Sequence, residues 1–163
     1  MNTSEINLCL RDLNQFIGTF PCNLIRRSTL RPAAYIINTA KLDAQSKADK
    51  DGVVKGKHWV AIIMLPAGRA VYFDSFGMPP TESEILKFIT ENSKNGYTYS
   101  TKMLQRPLSV VCGAYCVDFV RHFLQGMRME KYLSQFTSDL ALNDQLVVKR
   151  VTCQLSVQQQ CSP

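Results

Sequence analysis

Several absences narrow what this 163-residue chain can be. No apolar run reaches the roughly 20 residues that a membrane-spanning helix needs. The amino-terminal stretch Met1–Phe16 carries acids and amides where a secretory signal has a basic start and an apolar block. The expectation is a protein made and kept inside a cell, its six cysteines mostly reduced. No two of them form a CxxC pair, which removes the usual structural zinc pattern. Cys112 and Cys116 are four apart, but neither of the two histidines lies near them in sequence, so no metal site is expected. There is no aromatic-rich RNA-binding signature and no internal repeat. Acidic residues are few, 13 against 19 basic ones, which leaves a net charge of +6 and a pI of about 9.1. A basic balance suits contact with nucleic acid or an acidic surface. The lysines and arginines are scattered, however, at Arg26, Arg27, Lys47 to Lys57, Arg128, Lys149 and Arg150.

What is present is a globular composition, 45% hydrophobic and 20% charged, on a length that fits one domain over 1–163. Ile6, Leu10, Leu13 and Phe16 mark an amphipathic helix over 3–16, capped by Thr3 or Ser4 and ended by Gly18. Thr19–Leu30 reads as loop and Arg31-Pro32 as a break before a buried strand, Ala33–Asn38. Residues 41–57 are polar and rich in Lys and Asp, the pattern of an exposed, mobile loop. His58–Leu65 and Ala70–Asp74 read as two strands of a hairpin closed by Pro66-Ala67-Gly68-Arg69. A helix follows over Thr81–Asn92, with Thr81 and Glu84 as a capping box. Tyr97–Met103 reads as a third strand. A helix from Cys112 ends near Gly126, and another runs from Met129 to about Leu142. Residues 144–155 fit a strand or a helix, and the polar tail over 156–163 is expected to fray. Strands and helices mix without regular alternation. The expected fold class is α+β, a mixed or antiparallel twisted sheet packed against the helix that carries Cys112 at its N-terminus.

The chemistry concentrates in Gln105–Phe123 and the hairpin. Cys116, Phe119, Val120, Phe123, Leu124 and Met127 recur at helical spacing, so Cys112 begins a buried helix. Backbone N–H groups and the positive dipole end there favour thiolate, the nucleophilic form. The alternative is one more apolar cysteine in a core. His58 stands at a strand end beside a loop, a reachable place, though taken alone it is a plain surface residue. His122 lies ten residues past Cys112 on one helix, about 15 Å along its axis, and is structural. The open end of the hairpin brings Asp74 near His58, where it can hold the ring's tautomer. Otherwise Asp74 caps its own turn. Gln105 is either a surface amide or a donor to the oxyanion of a tetrahedral intermediate, with the Cys112 N–H as the second donor. Together they make a Cys–His–Asp nucleophilic site in the order His58, Asp74, Gln105, Cys112.

That order and its neighbours resemble the adenovirus-type cysteine proteases (adenain). The matching residues are His58-Trp59, Asp74-Ser75-Phe76-Gly77, Gln105 seven residues before the nucleophile, and Cys112-Gly113-Ala114-Tyr115-Cys116. Upstream, Ile17-Gly18-Thr19-Phe20 and Ile36-Ile37-Asn38-Thr39-Ala40 are similar to further segments of that family. Two departures stand out. Asp74 replaces the adenovirus Glu and matches the related SUMO- and ubiquitin-like-protein proteases, which in turn carry Asp where this chain has Val111. No Cys lies between Asp74 and Gln105, so the family's disulfide to an activating viral peptide has no anchor there. The resemblance implies a viral or virus-like-element cysteine endopeptidase. It would cleave capsid and core precursors near glycine during virion maturation, in the host nucleus and the virion. No metal, DNA as a cofactor, and a peptide activator bound without a disulfide go with it. The alternatives are a protease that releases ubiquitin-like proteins after Gly-Gly and a non-enzymatic basic nucleic-acid-binding protein. A peptidase of this kind needs no membrane.

Overall fold

The computed structural model describes residues 1–42 and 58–160. Five strands lie side by side in chain order: β1 (Phe16–Pro21), β2 (Ala33–Asn38), β3 (Trp59–Met64), β4 (Ala70–Phe73) and β5 (Tyr97–Tyr99). β3 is antiparallel to both β2 and β4, while the outer strands pair in parallel, β1 with β2 and β5 with β4. The sheet is therefore mixed, and the fold is α+β as expected. The expected hairpin holds from Met64↔Ala70 to Ala61↔Phe73, closed by a turn in which Gly68 takes φ +70°.

Every residue of β2, β3 and β4 is buried, which requires cover on both faces. On one face Ile36, Ala61, Ile63 and Phe73 meet α1 (Thr3–Leu10), α3 (Cys112–Leu124), α4 (Met129–Leu133) and α5 (Leu140–Gln160). On the other, Tyr35, Ile62 and Tyr72 meet Ile85, Phe88 and Ile89 of α2 (Ser83–Asn92). Phe73 stacks on Phe119 at 4.3 Å between centroids, so α3 lies directly on the hairpin. The fully buried Asp118 of α3 is held by Arg150 Nη1 and the Tyr132 hydroxyl, each at 3.1 Å, which ties α3 to α4 and α5.

Several local expectations need correction. The first helix stops at Leu10, and Asn2 caps it through a reciprocal box with Glu5. Phe16–Pro21 is a strand, not helix end and loop; its parallel partner β2 follows only after an intervening connection, and a register shift between Phe16 and Gly18 hides its alternation. Glu82 rather than Thr81 precedes α2, and Glu84 pairs with Lys41 at 2.8 Å instead of closing a box. β5 keeps only Tyr97–Tyr99 of the expected strand. The helix expected to run from Met129 to Leu142 breaks after Leu133, and a new one starts at Leu140. Asp139 starts it, accepting the Ala141 and Leu142 N–H groups at 2.9 and 3.1 Å. α5 runs on through Gln160 where fraying was expected, and Arg11 donates to the Gln158 carbonyl at 2.7 Å. From residue 43 on, the expected loop over 41–57 lies outside the described residues, as do residues 161–163.

Candidate active site

The site grows from the open end of the hairpin. Trp59 begins β3, so His58 stands just outside the ladder, and Asp74 follows the last residue of β4. His58 Nε2 lies 2.8 Å from Asp74 Oδ1. A carboxylate only accepts, so Nε2 carries a proton and Nδ1 is left for the ring's other partner. The same Oδ1 accepts the Phe76 N–H at 2.8 Å, and the Asp74 carbonyl accepts the Gly77 N–H at 2.9 Å. The two roles foreseen for Asp74, turn cap and ring holder, thus coexist on one oxygen. Phe76 then stacks on the imidazole, 5.0 Å between centroids and 29° between planes. From behind, the Thr39 N–H donates to the His58 carbonyl at 2.9 Å.

Cys112 opens α3 after Val111, which makes no side-chain cap. Gly113 brings the helix close against β3. A Cβ there would stand 3.2 Å from Trp59 Cδ1 and 3.2 Å from Met1 Cβ. With the helix this close, the Trp59 and Gly113 N–H groups and the His58 ring all favour the ionised form of the thiol. Burial opposes ionisation of Cys112, but the hydrogen bond to His58, the Trp59 N–H and the nearby imidazolium outweigh it and lower the thiol's pKa. Burial likewise works against a charged His58. The hydrogen bonds to Asp74 and to Cys112 overcome it and raise the ring to about 9. Both shifts favour a thiolate–imidazolium pair, the state of an activated nucleophile. Cys9, Cys22 and Cys116 go the other way, pushed up by burial, Cys9 to about 11.

Gln105 is 1% exposed, not a surface amide. Its Oε1 accepts the Ser75 hydroxyl at 2.7 Å, and its Nε2 donates to the Ser109 carbonyl at 2.7 Å. The Ser75 carbonyl accepts the N–H groups of Leu104 and Gln105 at 2.9 and 3.2 Å. This contact needs Gly77: at φ +71°, a Cβ on it would fall 2.8 Å from the Lys102 carbonyl carbon and 2.9 Å from that of Thr101. On its far side the segment is moored to α5 by Arg106 Nε on Asp144 Oδ2 at 3.1 Å and by Asn143 Nδ2 on the Leu104 carbonyl at 3.3 Å.

His58, Asp74 and Cys112 therefore meet directly, while Gln105 joins through Ser75, the neighbour of Asp74. His122 donates from Nδ1 to the Asp118 carbonyl of its own helix at 2.8 Å, a structural bond as expected. Sequence reasoning quoted Ser75, Phe76 and Trp59 only as motif letters and gave none of them a role. A small hydroxyl directly after the acid was the visible signal for Ser75; a backbone donor leaves none. Among the described residues no group of three or more His, Cys, Asp and Glu could hold a metal ion.

Comparison with known proteins adds the lineage. The model of the Ulp1 protease family, C-terminal catalytic domain, matches residues 52–160. Comparison with curated proteins gave no match. Among solved structures, ChlaDub1 from Chlamydia trachomatis is 22% identical, with 84% of this chain and 65% of that one covered and a TM-score of 0.59. Chlamydia trachomatis effector protein Cdu1 bound to ubiquitin is 21% identical, with 84% and 65% covered and a TM-score of 0.60. The ASFV pS273R protease is 20% identical, with 70% and 43% covered and a TM-score of 0.47. The two Chlamydia structures share the fold, and this chain spans 65% of their length.

Proposed function

The chain belongs to the Ulp1 protease family, and from that premise we propose that it is a cysteine protease cutting proteins on the carboxyl side of glycine. The observation that carries this reading is one imidazole set between the Asp74 carboxylate, 2.8 Å from Nε2, and the Cys112 thiol, both of which favour its charged form. Cys112 Sγ attacks the scissile carbonyl as thiolate. Negative charge moves to the carbonyl oxygen, which takes hydrogen bonds from the Cys112 N–H and from the Gln105 N–H not spent on Ser109. His58, charged through its partners, gives its Nδ1 proton to the leaving amine as the C–N bond breaks and a thioester remains. The neutral ring then takes a proton from water, whose oxygen attacks the thioester, and returns it to the departing sulfur. Asp74 keeps Nε2 protonated and stabilises the imidazolium throughout.

The glycine preference is drawn from the family resemblance: narrow subsites beside the nucleophile would best admit a chain without side chains next to the scissile bond. Asp74, the acid type of proteases acting on ubiquitin-like proteins, favours such proteins as substrates, cut after Gly-Gly. A second reading, maturation of viral capsid and core precursors, draws on Asn38-Thr39-Ala40. That segment resembles the adenovirus enzymes and here backs His58 through the Thr39 N–H. DNA and a non-covalent peptide would be its activators.

The test is turnover of fluorogenic ubiquitin-like-protein conjugates against a free Gly-Gly peptide, with and without DNA. The first reading predicts strong preference for the folded conjugates. Turnover of short peptides alone, stimulated by DNA and less so as salt rises, supports the second. No turnover of either kind overturns the protease assignment.

A further inference from the structure

Ser75 belongs to neither the expected site nor the proposed reaction. Yet it is fully buried, and its hydroxyl and carbonyl both bond to the Leu104–Gln105 segment. Its hydroxyl donates to Gln105 Oε1 at 2.7 Å, and its carbonyl accepts the Leu104 and Gln105 N–H groups at 2.9 and 3.2 Å. On the opposite side of the amide stands the Ser109 carbonyl, 2.7 Å from Nε2. A carbonyl offers no proton, so the nitrogen of the amide must lie on the Ser109 side and the oxygen on the Ser75 side. A flipped amide would set two acceptors against each other at Ser109. The Ser109 carbonyl permits one orientation, in which Nε2 spends one hydrogen on Ser109 and keeps the other, while the Ser75 hydroxyl holds Oε1 in place. We infer that Ser75 is a positioning residue: its buried hydroxyl, clamped on Gln105 Oε1 opposite the Ser109 carbonyl, fixes the amide so that its spare N–H is a preorganised oxyanion donor.

The placement of Ser75 explains why this residue performs the task. It directly follows Asp74, whose Oδ1 holds His58 and the Phe76 N–H. One turn, Asp74 to Gly77, therefore sets the base with its acid and the oxyanion donor with its hydroxyl. Relative motion between the two halves of the site is suppressed because both hang from the same few backbone atoms. Preorganised donors contribute most when they need not move as charge develops.

The inference rests on the proposed role of Gln105, and a double-mutant cycle separates the two. Ser75→Ala, Gln105→Ala and the double variant are compared by kcat and KM on a Gly-Gly fluorogenic substrate. Ser75→Ala is expected to lower kcat about 10- to 100-fold with KM little changed, the scale of a donor mispositioned by about an ångström. In the Gln105→Ala background the same change should cost almost nothing. A full, additive loss in both backgrounds overturns the role of Ser75 while leaving Gln105 as donor. A Gln105→Ala variant with wild-type kcat overturns the oxyanion reading itself.

Two further measurements exclude a merely structural effect. A peptide aldehyde, whose adduct with Cys112 carries the oxyanion, should bind the Ser75→Ala protein about 10-fold or more weakly. Iodoacetamide alkylation of Cys112, which develops no oxyanion, should proceed at the wild-type rate. Equal losses in both reactions mean a distorted site and overturn the inference. If Ser75→Ala fails to fold, Ser75→Cys, nearly equal in size and a poor donor, takes its place in every comparison.

Discussion

Replacing Asp74 by asparagine tests whether its charge, rather than its shape, drives the site. One oxygen, Oδ1, accepts both His58 Nε2–H and the Phe76 N–H. An asparagine keeps that oxygen in place, because turning its NH2 there would confront two donors. The turn and the ring's tautomer survive, and the negative charge alone is removed. The rise of His58 from 6.5 to about 9 corresponds to roughly 3 kcal/mol of preference for the charged ring, at about 1.4 kcal/mol per tenfold. Asp74 and Cys112 supply it together against burial, so losing Asp74 should cost the ion pair about 10- to 100-fold. Alkylation of Cys112 by iodoacetamide at neutral pH, and kcat/KM, should both fall by that factor. The pH profile should narrow from both sides. Its alkaline limb, where wild type loses the imidazolium as pH rises through about 9, moves down; its acid limb, where the thiolate is protonated, moves up. Stability follows the same sign. A raised His58 contributes fully below pH 6.5, and the contribution is lost as pH rises through about 9. The variant's melting deficit, about 1–2 kcal/mol at most near neutrality, should therefore vanish above pH 10. A deficit of equal size at every pH, with alkylation and turnover unchanged, would refute the reasoning and leave Asp74 as a turn cap only.

Cys112→Ala should abolish turnover, while Cys116→Ala, one turn inside and fully buried, should keep most of it and lose some stability; the reverse pattern in the same assay would misplace the nucleophile. Gly77→Ala should destabilise by about 1–3 kcal/mol, because φ +71° and backbone carbons within 3 Å of the new Cβ both resist it; an unchanged melting temperature would show that the turn is not held as described. Asp118→Ala should cost about 3–5 kcal/mol by leaving Arg150 and Tyr132 facing a void in the core, read by urea denaturation. A loss under 1 kcal/mol would mean the network is solvated.

The His58–Asp74 meeting was legible because a hairpin with a four-residue turn has one open end, and both residues flank it. The start of α3 was legible because its apolar residues recur at helical spacing from Cys116 onward. β1 was not. The stripe Ile6, Leu10, Leu13, Phe16 runs past the true helix end, and the strand's identity lies in a parallel pairing with the next strand that no local pattern signals. The final helix hid for a related reason: Leu146, Val147, Val148 and Val151 fit a strand as well as a helix, and packing of Val147 and Val151 into the core decides it. The covering of the second sheet face by α2 is likewise tertiary, as is the burial of Gln105. Ser75 was legible only as a letter in the Asp74–Gly77 segment, since its partner stands 30 residues away.

The most direct test of the central claim is covalent capture. A peptide ending in Gly-Gly with a vinyl-sulfone in place of the scissile carbonyl is incubated with the reduced protein, and the modified residue is mapped by mass spectrometry. Cys153 is exposed and serves as the internal competitor, whereas Cys9, Cys22 and Cys116 are buried. The account predicts stoichiometric labelling of Cys112 alone, lost in His58→Ala and absent in Cys112→Ala. Labelling of Cys153 in preference to Cys112, or labelling of Cys112 that is indifferent to His58, would contradict it.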